Sequence, residues 1–275
     1  MPGFFSKLRY SLVRGDGLAR YTKYAVGEIL LISIGILIAM EIDNWNEQRI
    51  EQQEIHQYAR ALVDDLKADL EMIDPVFRQS KNQYERAGWL GDYVRGKELD
   101  ELDSLLLYAL TRRTGYRPFS WSRTAIDQLR ASGALRQMQD RELVKKIAAY
   151  VALTYHLDED YVSDVAAGKA AAASTAKVVD LNLDNVDEMY DILDVDFEDE
   201  GPPSLAAYLE SFAEMDALER EPLLVDDIRE VQVMVNAFVN LGRAMGARPR
   251  HEIPKLITMA EELIGLLDEE YPPLD

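Results

Sequence analysis

The feature that most limits what this chain can become is an apolar run close to its start. YAVGEILLISIGILIAMEI, Tyr24 to Ile42, is nineteen residues long and carries only two charges, Glu28 and Glu41, one near each end. As an α-helix rising about 1.5 Å per residue it spans about 28 Å, close to the hydrocarbon thickness of a bilayer. Its uninterrupted core, Ile29 to Met40, is twelve residues, a length that signal-peptide cores and buried helices also show. Two observations favour an uncleaved transmembrane helix. The core runs into Ala39, Met40, Glu41 and Ile42 without the small-residue pattern of a cleavage site. Aromatic residues flank it on both sides, Tyr21 and Tyr24 before and Trp45 after, where interface anchors belong.

Basic residues orient the span. Lys7, Arg9, Arg14, Arg20 and Lys23 precede it, whereas only Arg49 and Arg60 lie in the twenty residues after Ile42, which predicts a cytoplasmic N-terminus. The expected organisation is a basic cytoplasmic tail over 1–23, a membrane helix over 24–42 and an acidic extracytoplasmic domain over 43–275. The formal net charge of −20 averages these parts, because residues beyond 42 hold 25 basic against 47 acidic groups. Such a surface excludes a general nucleic-acid binder, whose affinity comes from neutralising phosphates, and points to partners that are cationic or bridged by divalent ions. The absence of cysteine excludes disulfides, thiolate chemistry and Cys-ligated metals.

Glu28 is the unusual residue of the span. A charge in hydrocarbon is costly, and such groups are normally paired or functional. It lies only about 6 Å along the axis from Tyr24, so it can snorkel to the interface, accept a hydrogen bond from Tyr24 or pair with a basic residue of a partner helix. A structural or assembly role is favoured over an ion or proton relay, which usually sits nearer the midplane and comes in chains. Gly35 and Ala39 form a small-xxx-small pair on the same side, a candidate face for self-association or for a partner helix.

The stretch YAVGEILLISIGILIAMEIDNWNEQR, Tyr24 to Arg49, resembles the N-terminal signature of a bacterial family of uncharacterised single-pass membrane proteins, domain-of-unknown-function family 6090. TAIDQLRASGALRQMQDRELVKKIAAYV, Thr124 to Val151, is similar to a later block of that family, in which a helix ends at Ser-Gly and the next opens on an acidic or Asn cap. The resemblance implies a membrane anchor, a helical exterior part and a bacterial plasma (inner) membrane location. It brings no activity with it.

Beyond the span the pattern is helical throughout, which predicts an all-α protein: one transmembrane helix continuing into a long stalk helix, about 43–73, and an extracytoplasmic antiparallel bundle. Ile55, Ala59, Leu62, Leu66, Leu70 and Ile73 form one apolar stripe on the stalk, to be covered by other helices or by another copy of it. Further helices are expected over Val76–Val94, Glu98–Thr111, Ser122–Ala131, after an Asp140 cap, across 161–180, and over Leu205–Leu218, Pro222–Met245 and Ile253–Leu267. Breaks are expected at Asp194–Ser204 and Ala247–Pro254.

Few residues suggest chemistry. The ten acidic residues of Asp180 to Gly201 fail the EF-hand test, because counting from Asp194 places Asp199 where Gly belongs and Leu205 where Glu belongs. The three histidines, His56, His156 and His251, make no H-E-x-x-H or Glu-x-x-His arrangement, and HLDED at His156–Asp160 is too local to hold a transition metal by itself. No nucleophile elbow, P-loop or dinucleotide fingerprint occurs. No metal and no cofactor are expected.

One cluster breaks the acidic pattern. RRTGYRPFSWSR gathers Arg112, Arg113, Arg117 and Arg123 with Tyr116, Phe119 and Trp121 in a connection between helices. Such residues can clamp an anionic or flat ligand, or they can plug the end of a bundle while the arginines pair with carboxylates; the plug is favoured. The function expected is a membrane-anchored interaction or sensing module without catalysis. The alternatives are an accessory subunit of a membrane transport or energy-coupling complex that uses Glu28, and an unrecognised enzyme.

Overall fold

The computed structural model describes residues 16–180 and 222–273, together with 206, 209 and 210; the side chains of 16–20, 23 and 24 lie outside it. The expected helix Leu205–Leu218, the acidic break at Asp194–Ser204 and most of the basic tail therefore fall outside the described residues. Among the described residues every regular element is helical. The main helices are α1 (Asp16–Val94), α2 (Ser104–Thr111), α3 (Thr124–Ala131), α4 (Ala134–Gln137), α5 (Arg141–Thr175), α6 (Ile228–Met245) and α7 (Ile253–Glu270). A 3₁₀ turn, Leu99–Glu101, precedes α2, and a π-helical turn, Arg248–Glu252, joins α6 to α7.

The chain divides into two compact units, Met1–Gln57 and Tyr58–Asp275, and α1 contributes to both. In the first unit α1 is exposed from Glu28 to Ile50, and Ile55 near its end is buried. Eleven large apolar side chains between Val26 and Ile42 are exposed, with Leu31 73% accessible. At about 2 kcal/mol per side chain, covering them is worth on the order of 20 kcal/mol, more than the net stability of a typical domain.

In the second unit one row of buried positions on α1 alternates four and three residues apart, Leu62, Leu66, Asp69, Ile73, Val76, Ser80, Gln83, Ala87, Leu90 and Val94, with Ala59, Val63, Arg86 and Tyr93 also buried. That spacing is the narrow seam of helices crossing at small angles. Asp69 occupies the slot for which the apolar pattern suggested Leu70, and Leu70 is only partly covered. The seam also explains why the helix does not stop at 73. Pro75 removes one intrahelical bond and costs about 3 kcal/mol in a helix interior, but the buried row continues on both sides of it and α1 runs on to Val94. Gly96 follows with φ +78° and turns the chain.

Contacts fix the directions of the long helices. Tyr84, Ala87 and Gly91 of α1 meet Gly246, Gly242 and Val239, and Arg60 pairs with Asp268, so α6 and α7 run antiparallel to α1. Lys146 pairs with Glu262 and His156 faces Glu252, so α7 is antiparallel to α5 as well. Tyr150 reaches Asp69, and because α1 and α5 are both antiparallel to α7 they run parallel to each other. The core between them holds Leu66, Ile73, Leu90, Ile147, Leu157, Phe238, Met245 and Leu263.

Three expected boundaries move for local reasons. Glu98–Thr111 is split, because the Asp103 side chain accepts from the amides of Leu105 and Leu106 and starts α2 there. The expected helix from Pro222 begins at Ile228 instead: the Leu224 amide donates to the Val178 carbonyl at 2.9 Å, and Asp227 caps the Arg229 amide. The break at Ala247–Pro254 is a widened helical turn, held by the buried Arg248. Asp140, by contrast, caps α5 as its sequence suggests.

α5 passes through Gly168 without interruption, and a close approach accounts for the glycine. A Cβ there would lie 2.2 Å from the Thr114 carbonyl oxygen, so the connection after α2 crosses α5 at the one position without a side chain. Gly168→Ala is expected to lower stability by about 1–3 kcal/mol through overpacking, read as a fall in the midpoint of thermal unfolding of the full chain in detergent; an unchanged midpoint would contradict this crossing.

Candidate functional site

The Arg-aromatic connection, residues 112–123, lies against α1 and α5, and each contact has a residue-level cause. Tyr116 is buried and donates its hydroxyl to Asp164 Oδ2 at 2.7 Å. Phe119 stacks on Trp121, with centroids 5.0 Å apart and planes 12° from parallel, and Tyr161 meets both Tyr116 and Phe119 edge-on. Trp121 Nε1 donates to Asp158 Oδ1 at 2.8 Å, and Arg123 Nη2 donates to Asp158 Oδ2 at 2.6 Å. The Arg123 guanidinium also lies 4.3 Å from the Tyr155 ring centroid. Arg117 is exposed and its amide donates to Gln79, while the Arg113 carbonyl accepts from Arg86. Thus Phe119, Trp121 and Arg123 come together on α5, at the opposite end of the connection from Arg112 and Arg113.

Two buried carboxylates organise this region, and the sequence reading passed over both. Asp69, 3% exposed, accepts from the Ser122 amide at 2.7 Å and from the Tyr150 hydroxyl at 2.7 Å. Nearby, Asp65 accepts from the Ala125 amide at 2.9 Å. The N-cap residue of α3, Arg123, offers no side-chain acceptor, so α1 supplies from outside the carboxylates that a helix start needs. Asp164, also 3% exposed, accepts from Tyr116 and from Arg248 Nε at 3.1 Å. Arg248 reaches on to Asp160 Oδ2 at 3.0 Å and Glu252 Oε2 at 2.8 Å. The signal for Asp69 lay in its place on the alternating seam; Asp164 and Arg248 had none, because their pairing joins residues 84 apart.

Burial pushes the Asp69 carboxyl above the usual carboxylate range, and the bonds from Ser122 and Tyr150 pull it only part of the way back. Burial likewise raises Asp164 against the opposing pull of Tyr116 and Arg248. Burial works against the Arg248 charge, but Asp164, Glu252 and Asp160 more than offset it and the guanidinium is held charged. Burial, followed by bonding to these carboxylates, raises the phenols of Tyr116 and Tyr150, which act as neutral donors.

At the rim of this network His156 Nε2 stands 3.2 Å from Asp160 Oδ2 and 3.5 Å from Glu252 Oε1. Around His156 the sequence offered only the HLDED segment; the fold adds Glu252 from the π turn, and the three donor atoms lie within 4.8 Å of one another.

The membrane-helix candidates are in the first unit. Glu28, Ile29 to Met40 and Trp45 are exposed, Tyr21 is exposed, and the side chain of Tyr24 lies outside the described residues. A Cβ added at Gly35 would meet nothing within 4 Å, and Ala39 is exposed beside it, so no other part of the described chain covers this small-residue face. The Arg49 guanidinium lies 5.8 Å from the Trp45 ring centroid.

Among the described residues, fold and site together define an all-helical protein whose N-terminal helix carries one unburied stretch long and apolar enough to cross a membrane. Residues 28–133, under half of the chain, match the model of a family of unknown function, DUF6090. Comparisons with curated proteins and with solved structures give no match.

The raised pKa of Asp69 gives a signed expectation. A carboxyl whose folded pKa lies above its unfolded value favours the fold most below the unfolded value, near 3.8, and that contribution is lost as pH rises through the folded pKa. Unfolding midpoints of Asp69→Asn and wild type, compared from pH 4 to 7, should therefore shift in the variant's favour as pH rises. A difference independent of pH would refute the assignment.

Proposed function

We propose that this protein is a membrane-anchored helical module for interaction or sensing, without catalysis, held in the bacterial plasma membrane by its single N-terminal span with the N-terminus cytoplasmic. The observation that carries this reading is the set of eleven exposed apolar side chains between Val26 and Ile42, a surface too large to leave in water. The basic residues ahead of the span support the orientation, and the acidic excess beyond it suits an extracytoplasmic domain that meets cationic partners or bridging divalent ions. Support for interaction rather than chemistry comes from the Arg-aromatic connection, where Arg123 is paired with Asp158 and the rings of Phe119 and Trp121 are stacked.

The lack of native cysteine makes the topology directly measurable. In intact spheroplasts, a membrane-impermeant maleimide should label Ala172→Cys and leave Ser6→Cys unlabelled until the membrane is broken. The reverse pattern refutes the orientation, and release of the chain from membranes by alkaline carbonate refutes the anchor.

A second reading has its own observation. Glu28 is an exposed carboxylate at the start of an otherwise uncharged apolar surface, which suits a partner helix carrying a basic residue, as in an accessory subunit of a transport or energy-coupling complex. Glu28→Gln should then deplete specific partners from crosslinked native membranes; an unchanged partner set removes this reading.

A further inference from the structure

We propose that His156, Asp160 and Glu252 form a binding site for a divalent transition-metal ion of the zinc class, with Arg248 as the group that positions the two carboxylates. The argument begins with distances. Zinc bonds nitrogen and oxygen at about 2.0–2.2 Å, so tetrahedral donors stand about 3.3–3.5 Å apart. His156 Nε2 lies 3.2 Å from Asp160 Oδ2 and 3.5 Å from Glu252 Oε1, and the third separation is within 4.8 Å. His156 and Asp160 share one face of α5, one turn apart, while the π turn brings Glu252 across from the neighbouring strand of helix. Such widened turns recur at functional sites because they re-aim side chains that a regular helix would direct elsewhere.

The carboxylates divide their oxygens in a way that leaves donors for an ion. Glu252 gives Oε2 to Arg248 and turns Oε1 to His156. Asp160 Oδ2 is buried and accepts no aligned hydrogen bond, with Arg248 Nη1 at 3.0 Å and His156 Nε2 at 3.2 Å, which leaves a lone pair for an ion. Arg248 itself is well bonded to Asp164 through Nε and to Glu252 through Nη1. Orientation of metal-bound carboxylates by an outer hydrogen-bond donor is a regular feature of metal sites. Charge favours the same conclusion: Asp160, Asp164 and Glu252 surround the single Arg248 charge and leave two negative charges, which one divalent ion neutralises. The His156 side chain is 53% exposed, so the ion has an entry path and a fourth position open to water.

The test uses the full chain in detergent, free of any histidine tag and stripped with chelator, titrated with Co²⁺ as a spectroscopic probe. One equivalent should give the visible absorption of low-symmetry four- or five-coordinate Co²⁺, displaced by Zn²⁺ and not by equal Mg²⁺. His156→Ala should weaken binding by about tenfold or more, a scale that even outer-shell groups reach, while His56→Ala and His251→Ala leave it intact. Because His156 is half exposed, its alanine variant should unfold at the wild-type temperature without metal; Asp160→Asn and Glu252→Gln extend the test to the carboxylates. No Co²⁺ spectrum, a spectrum unaffected by His156→Ala, or one abolished by His56→Ala or His251→Ala would each overturn the proposal.

Discussion

A buried arginine surrounded by carboxylates is the interaction on which the arrangement of the second unit depends. Charge in a protein interior persists only when it is paired and hydrogen-bonded, because removing a single ion from water costs several kcal/mol. Arg248 meets that demand by drawing in Asp160 and Asp164 from α5 and Glu252 from its own turn. Asp164 in turn takes the Tyr116 hydroxyl, so the connection after α2 is bound into the same network. Three segments far apart in sequence are thereby fixed at one level of the fold, and Gly168 lets the connection after α2 come close to α5.

The same logic operates one layer away with backbone donors in place of a cation. Asp65 and Asp69 project from α1 into the start of α3 and accept the amides of Ala125 and Ser122, with Tyr150 completing the set around Asp69. A helix start that lacks its own capping side chain is thus satisfied by another helix. The short α3, the Phe119–Trp121 stack and the Asp158 contacts are held along one side of α5 by these bonds. Within 112–123, Tyr116, Trp121 and Arg123 each donate a side-chain hydrogen bond to a carboxylate of α5, which is why we read the segment as packing material.

The first unit follows a different rule. Its large apolar side chains from Val26 to Ile42 are exposed, and the surface they present asks for lipid or another protein. The matched family model covers 28–133 and so includes most of this helix together with the connection and α3. That span couples an element that needs covering to the elements that build the polar network, whose donors from α5 and the π turn lie beyond it.

The sequence by itself determined the helical class, the apolar span and several caps and turns. Those follow from local physics: the apolar period, the capping chemistry of Asp140 and the glycine turns at Gly96 and Gly133 each act within one or two helical turns. The tertiary structure decided what local patterns could not. Helix α1 continues through Pro75 because of a row of packing partners on other helices, Asp69 replaces Leu70 on the buried seam because its acceptors are matched by Ser122 and Tyr150, and the expected break at Ala247–Pro254 stays helical around Arg248. Glu252 joins His156 and Asp160 for the same reason. Each outcome turns on desolvation, and whether a polar group is buried, and what satisfies it there, depends on which distant segments come to lie against it.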